Sequence, residues 1–163
     1  MENQIKEAYF AGGCFWGVEY QFRKLTGVLD VISGYMGGDS LNPSYIEVKT
    51  GQTGHLETVK VVYDASKIDY TSLCKLFFEI HDFTQIGGQG PDIGDQYSSA
   101  IFYNTDEEKQ VVESLIQILT EKGYQVVTEV NPKLIFWNAE EHHQDYYNRK
   151  GTEPYCHSRT IIF

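Results

Sequence analysis

Hydrophobic residues recur along this chain at two spacings, every second residue in some segments and every third or fourth residue in others. The first spacing is typical of strands with one buried face, and the second is typical of amphipathic helices. Alternation predicts strands over residues 5–13, 28–33, 57–64, 96–103 and 124–130. Helical spacing predicts helices over residues 14–26, 69–83 and 106–123.

Two glycine-rich segments interrupt this pattern. Residues 34–55 form a connection rich in Gly, Asn, Pro and Ser, and residues 85–95 form a second, glycine-dense one. The first is longer than an ordinary loop, and long loops are usually kept for a function. We therefore expect a site where these two segments meet. From Asn131 onward the chain is polar and aromatic without a clear period.

The order of the elements predicts an α+β fold. Strand, helix, strand, strand, helix and strand follow one another, which matches the split β-α-β core of a ferredoxin-like two-layer α/β sandwich. A further helix and strand are added at the end. The sequence shows no repeat and no interdomain linker, so residues 1–163 are predicted to form a single domain.

The hydrophobic content, the net charge and the number of cysteines exclude several classes of protein. The chain is 41% hydrophobic and 14% aromatic, enough to fill a core without disulfides or a structural metal. Thirteen basic and twenty-three acidic residues give a net charge of -10, which argues against partners held by phosphate contacts, such as nucleic acids and anionic membranes. Neither a signal peptide nor a membrane span is recognisable. Three cysteines are too few for a disulfide scaffold, so we expect a cytoplasmic protein.

Cys14, in the stretch GGCFWG, is the first candidate for chemistry. It falls at the start of the first predicted helix, where unpaired backbone N–H groups and the helix dipole favour a thiolate and lower the thiol pKa. The flanking glycines would let a substrate approach the backbone, although they also suit a turn. Cys74, surrounded by apolar residues in a predicted helix, has the pattern of an ordinary core cysteine.

Glu57 is the second candidate. In the predicted strand ETVKVVYD it shares one face with Val59, Val61 and Tyr63, so its carboxylate begins an otherwise apolar row. Burial would raise its pKa and make it a proton donor near neutral pH. The alternative is that the strand begins at Thr58 and leaves Glu57 in solvent.

Three motifs in order, GCFWG, TGHLE with the preceding Tyr45, and GPDIGDQYSSAIFY, resemble those of the class A peptide methionine sulfoxide reductases. The resemblance runs from the first strand to the last cysteine. It implies that the protein is a peptide-methionine (S)-S-oxide reductase, an enzyme of oxidative stress repair. Such an enzyme converts methionine S-sulfoxide, free or in proteins, back to methionine and needs no cofactor.

The resemblance also implies roles for individual residues. Cys14 would attack the sulfoxide sulfur, and Glu57 would protonate the departing oxygen. Phe15 and Trp16 would line an apolar pocket for the S-methyl group, since aromatic faces offer contact area without competing hydrogen bonds. The remaining substrate-binding positions implied by the family are Tyr45, Asp92 and Tyr97. Asp95, by contrast, reads as a turn former.

Cys156, in GTEPYCHSR, occupies the place of the family's resolving cysteine. A sulfenic acid left on Cys14 would condense with it to an intramolecular disulfide, which thioredoxin would then reduce. Many relatives have Asn-Gly ahead of this cysteine where this chain has Glu-Pro. The chain carries no further recycling cysteine beyond Cys156. We expect the protein to act as a monomer.

Two rival classes stay open at this point. A thiol peroxidase would use the same cysteine without a methyl pocket or an acid. A non-catalytic metal or protein-binding module could use the run AEEHHQDYY, in which acidic residues surround His142 and His143. Adjacent histidines diverge by about a hundred degrees on a helix, and no HExxH spacing is present, so we predict no metal site; the run is read as structural or as bordering the active site. His55 is expected to orient loop backbone.

Overall fold

The computed structural model describes residues 4–152, 154 and 157–163 of the chain. The strands are β1 Ile5–Gly12, β2 Val28–Met36, β3 Leu56–Asp64, β4 Gly88–Gln89, β5 Asp92–Ile93, β6 Ser99–Tyr103, β7 Glu129–Pro132 and β8 Trp137–Asn138. The helices are α1 Phe15–Arg23, α2 Tyr45–Lys49, α3 Tyr70–Glu79, α4 Asp106–Glu121 and α5 Tyr146–Lys150.

Six of the strands form one sheet in the order β7-β6-β1-β3-β2-β8. Its four central strands, β6, β1, β3 and β2, are antiparallel and follow the order of the ferredoxin-like plan. Helices α1, α3 and α4 bury their apolar residues in the main hydrophobic core against this sheet. A smaller apolar cluster covers its other face. The predicted α+β two-layer architecture is confirmed.

Local signals explain where the helices begin. Asp69 and Thr105 precede α3 and α4, and their side chains accept the backbone N–H groups of Ser72 and Glu108. Helix α1 ends at Arg23, before Gly27, whose φ of +100° takes the chain through a tight turn into β2. None of the helices in the described part of the chain is long and apolar enough to cross a membrane.

Several predictions about element bounds are wrong, among them the strand over 96–103, which begins at Ser99 because Asp95–Tyr97 form a 3₁₀ turn. The connection over 34–55 is not all loop, because β2 continues to Met36 and a capping box at Ser44 starts α2. The second glycine-rich segment contains the hairpin of β4 and β5. The last predicted strand, over 124–130, is displaced to β7, since the N–H of Val127 bonds to the carbonyl of Phe83 in a loop.

Candidate active site

Cys14 lies where β1 passes into α1, two residues after the strand ends. It is the residue immediately before the helix, not a residue of the first turn as predicted, and its carbonyl accepts the N–H groups of Gly17 and Val18. The side chain is only 8% exposed. The N-terminal end of α1 therefore lies beside the thiol, which is the setting that favours a thiolate.

Glu57 reaches the same helix end from the neighbouring strand β3. Its Oε1 accepts the backbone N–H of Phe15 at 3.3 Å, and the residue is 2% exposed. Its Oε2 has no hydrogen-bond partner among the residues that the structure describes. The inward-facing interpretation of Glu57 is confirmed, and the solvent-exposed alternative is wrong.

Burial is the main reason why the pKa of Glu57 lies well above its usual range. Negative charge on Cys14 and on Asp92 raises the pKa further, while the Phe15 N–H opposes the rise. The carboxyl group is thus stabilised in its neutral form beside the cysteine. A neutral carboxyl group can donate a proton. The Oε2 atom of Glu57, which has no hydrogen bond to the described residues, can carry that proton toward a substrate.

The two glycine-rich connections bring Tyr45 and Tyr97 to this carboxyl group. Tyr45 begins α2 and Tyr97 ends a short 3₁₀ turn before β6, and their hydroxyl groups share a hydrogen bond. Burial and the nearby charge of Glu57 raise the pKa of both hydroxyl groups, so both stay protonated. Asp92, at the start of β5, lies close enough for its charge to raise the pKa of Glu57 and Tyr45.

Phe15 and Trp16 give the site an apolar wall. Phe15 is fully buried in the main core, with its ring centroid 5.7 Å from that of Tyr35 and 6.3 Å from that of Tyr45. Trp16 is half-buried and stacks on Tyr146 with 3.9 Å between ring centroids and 8° between planes. The structure therefore gathers every predicted site residue in its described part around the start of α1.

The AEEHHQDYY run borders the site, and His143 and Glu140 in it form hydrogen bonds with residues around the apolar wall. The indole N–H of Trp16 donates to Nδ1 of the buried His143 at 3.1 Å, so the imidazole proton sits on Nε2. Burial lowers the pKa of His143 and keeps the ring neutral. The carboxylate of Glu140 accepts the hydroxyl of Tyr35 at 3.0 Å and the N–H of Tyr45 at 3.1 Å.

Tyr35, Glu140 and Tyr146 are site-bordering residues that sequence reasoning missed or left without a role. Tyr35 is one of twelve tyrosines and stands in no distinctive motif, while Tyr146 belongs to the AEEHHQDYY run but was given no role of its own. Their contacts join residues more than a hundred positions apart in the chain, as in the bond from Tyr35 to Glu140. Periodicity reports only local structure and carries no signal for such pairs.

Two glycines that flank Cys14 are needed for packing. A Cβ on Gly13 would lie 2.7 Å from the side chain of Gln89, and a Cβ on Gly17 would lie 2.2 Å from Nδ1 of His157. Gly13 also has a φ of +98°, which favours glycine. Both empty positions are filled by side chains from distant segments.

Three other candidates have the expected surroundings. Cys74 is fully buried, and burial raises its pKa, as expected for an inert core cysteine. His55 orients the first glycine-rich connection, since its ring accepts the N–H of Gly38 and donates to the carbonyl of Ser40. Asp95 is exposed at the start of the 3₁₀ turn. Cys156 lies outside the described residues.

No set of three His, Cys, Asp or Glu residues in the described ranges converges in a way that could hold a metal ion. Nδ1 of His143 is already occupied by Trp16. The chemistry that the arrangement offers is therefore that of a thiol, a neutral carboxylic acid and two hydroxyl groups around one apolar wall.

Comparisons with known proteins agree on one family. Residues 6–162 match the family described as Peptide methionine sulfoxide reductase. The peptide methionine sulfoxide reductase MsrA of Nautilia profundicola is 47% identical over 152 residues, which cover 93% of this chain and 88% of that protein. The crystal structure of reduced Mxr1 from Saccharomyces cerevisiae has a TM-score of 0.88 and 32% identity, over 98% of this chain and 93% of that one. Mxr1 in complex with Trx2 shares the fold, with a TM-score of 0.64 and 22% identity over 96% of this chain and 90% of that one.

Proposed function

This chain belongs to the peptide methionine sulfoxide reductase family, and from that premise we propose that it reduces methionine S-sulfoxide, free or in proteins, with Cys14 as its nucleophile. One observation carries the assignment of the site. The buried Glu57, held neutral by its surroundings, contacts the first helical N–H beyond Cys14. We propose that residues 1–163 act as a single catalytic domain.

The first step is an attack by the Cys14 sulfur on the sulfoxide sulfur. The sulfoxide oxygen is a poor leaving group until it is protonated, so Glu57 supplies a proton as the S–O bond to methionine breaks. Tyr45 and Tyr97, whose hydroxyl groups stay protonated, donate hydrogen bonds to that oxygen. The protonated oxygen passes from the methionine sulfur to the Cys14 sulfur as the bond between the two sulfurs breaks. Methionine leaves, and Cys14 carries the oxygen as a sulfenic acid.

Substrate binding follows from the apolar wall. The S-methyl group packs against the rings of Phe15 and Trp16, which His143 and Tyr146 hold in place. Asp92 lies at the edge of the same site and is the remaining residue that we propose to contact the bound substrate. No step requires a metal or an organic cofactor.

The cycle closes through a second thiol. Cys156 attacks the sulfenic acid, a disulfide forms between Cys14 and Cys156, and water leaves with the former sulfoxide oxygen. Thioredoxin then reduces the disulfide by thiol exchange. The solved complex of Mxr1 with Trx2 supports this partner. Because such recycling needs reduced thiols, we place the protein in the cytoplasm, where it works as a monomer.

A single-turnover reaction without reductant tests this function. Fully reduced protein is mixed with the S epimer, or separately the R epimer, of a methionine sulfoxide substrate, and released methionine is counted. We expect about one equivalent from the S epimer only, because one sulfenic acid or disulfide stops further turnover. Cys74→Ser is the matched control and should leave the yield unchanged, while Cys14→Ser should give no product. Turnover of hydroperoxide with no methionine from either epimer would instead identify a thiol peroxidase.

The pH dependence of methionine release should have a descending alkaline limb. Glu57 donates a proton only below its raised pKa, so the rate falls as pH rises through that value. Single-turnover rates across the pH range test this assignment, with Glu57→Gln expected to lack the alkaline limb. An alkaline limb that persists in Glu57→Gln would assign it to another group.

A further inference from the structure

The carboxyl-terminal segment is anchored to the body of the protein at two places. The first anchor is His157, which is 2% exposed. The second is formed by Glu79 at the end of α3, which holds the residues from Arg159 onward. The segment that follows Cys156 in the chain is therefore fixed from its first described residue.

His157 contacts both the strand and the helix that flank Cys14. Its Nε2–H donates to the carbonyl of Gly12 at 2.8 Å, and its own carbonyl accepts the side-chain amide of Gln21 at 2.9 Å. Burial lowers the pKa of His157, which keeps the ring neutral. His157 thus bridges the end of β1 through its ring and α1 through its backbone carbonyl.

Gly17 provides the space for this contact. A Cβ there would lie 2.2 Å from Nδ1 and 2.8 Å from Cγ of His157, distances that require the ring to move. The packing of His157 accounts for a glycine at this position of GCFWG.

The Glu79 anchor is equally specific. Arg159 binds one carboxylate oxygen of Glu79 through Nε at 3.1 Å and Nη2 at 2.9 Å. The other oxygen accepts the N–H of Ile162 at 2.8 Å, and the Glu79 carbonyl accepts the N–H of Thr160. Glu79 therefore fixes the end of the segment. His157 fixes its start at Gly12, two residues before Cys14.

We propose that His157 is a positioning residue for the resolving step, a proposal that rests on the function argued above. In that step the Cys156 sulfur attacks the sulfur of the Cys14 sulfenic acid. The S–S bond forms, the S–O bond breaks, and the hydroxyl leaves as water with the proton of the Cys156 thiol. No outside oxidant or reductant is needed.

The physical reason is effective concentration. A thiol tethered close to its target reacts as if it were present at high concentration, and a small misplacement removes much of that advantage. His157 follows Cys156 directly in the chain. Its ring is bonded to the backbone of Gly12, two residues before the nucleophile Cys14. Loosening His157 should therefore slow disulfide formation without altering the sulfoxide chemistry that precedes it.

Two substitutions test the role of His157 from opposite sides of the contact. His157→Ala removes the ring, and Gly17→Ala displaces it while leaving its chemistry intact. His157→Gln keeps an N–H donor near the Nε2 position and serves as the rescue variant. Ser158→Ala, at the exposed neighbouring position, is the matched control. Thermal unfolding of every variant checks that the fold is retained.

The readouts separate the two steps. Methionine release in a single turnover reports the first step, and trapping of the Cys14 sulfenic acid with dimedone, together with loss of titratable thiols, reports the second. We expect His157→Ala and Gly17→Ala to release methionine at the wild-type rate but to form the disulfide about 10- to 100-fold more slowly. His157→Gln should recover much of that rate, and Ser158→Ala should retain all of it.

Disulfide formation at the wild-type rate in both His157→Ala and Gly17→Ala would overturn the proposal. Equal slowing of methionine release would also overturn it, because His157 would then support the whole site. The absence of methionine from the wild-type protein would instead refute the proposed function, so the two failures are distinguishable.

Discussion

Replacing Glu57 by Gln is expected to slow methionine release by about 10²- to 10⁴-fold, the range typical for the loss of a general acid. The amide oxygen of Gln can still accept the N–H of Phe15, so the start of α1 stays in place. The amide cannot deliver a proton to the sulfoxide oxygen. The substitution therefore removes the acidic proton of Glu57 and keeps the size of the side chain and its hydrogen bond to Phe15.

Single-turnover methionine release measures this effect, with alkylation of Cys14 as the control for an intact nucleophile. The fold should be at least as stable as in the wild type. The pKa of Glu57 is raised in the folded state, so the stability of the wild type falls as pH rises above the ordinary carboxyl value, and Gln removes that dependence. Near-normal methionine release by Glu57→Gln would contradict the acid role.

Replacing Glu19 by Ala should lower the free energy of unfolding by about 3 kcal/mol, the lower end of the range for breaking a buried ion pair. Glu19 is almost fully buried in α1. Its carboxylate accepts the hydroxyl of Ser33 at 2.6 Å, Nε of Arg23 at 2.8 Å and the N–H of Asp145 at 2.7 Å. The lower end applies because Arg23 also has an ion pair with Asp30 at 3.1 Å.

Urea unfolding of Glu19→Ala measures this loss. The control is Glu113→Ala on α4, where Glu113 pairs with Lys109 at 3.8 Å and both side chains are largely exposed. Exposed pairs at this helical spacing contribute only about 0.3–0.5 kcal/mol. If Glu19→Ala cost no more than the Glu113→Ala control, the Glu19 network would not hold α1, β2 and the segment before α5 together.

Local patterns predicted the central sheet, the burial of Glu57 and the place of Cys14 next to α1. Alternation placed Glu57 on the buried face of β3, and helical spacing placed Cys14 at the start of α1. Both predictions worked because the decisive contacts lie within one element or at its end. The family motifs then selected Tyr45 and Tyr97 from twelve tyrosines, which composition could not do.

Features that depend on distant partners were not predicted. The alternating residues 124–130 do not join the sheet along their whole length, since Val127 bonds to Phe83 and Thr128 shares a hydrogen bond with Ser99. The glycine at position 17 is explained only by His157, 140 positions later in the sequence. Tertiary contacts of this kind override local preference and leave no periodic trace.

The outermost strands of the six-stranded sheet are both short. β7 has four residues and ends at Pro132, and β8 has two. β8 pairs with only Gly34 and Tyr35 of β2, and farther along that edge the side chains of Arg23 and Gln144 bond to the backbone of Val31 and Ser33. This edge is therefore partly covered against pairing with a strand from another molecule. For a member of the peptide methionine sulfoxide reductase family, short and partly covered sheet edges should limit strand pairing with its own polypeptide substrates.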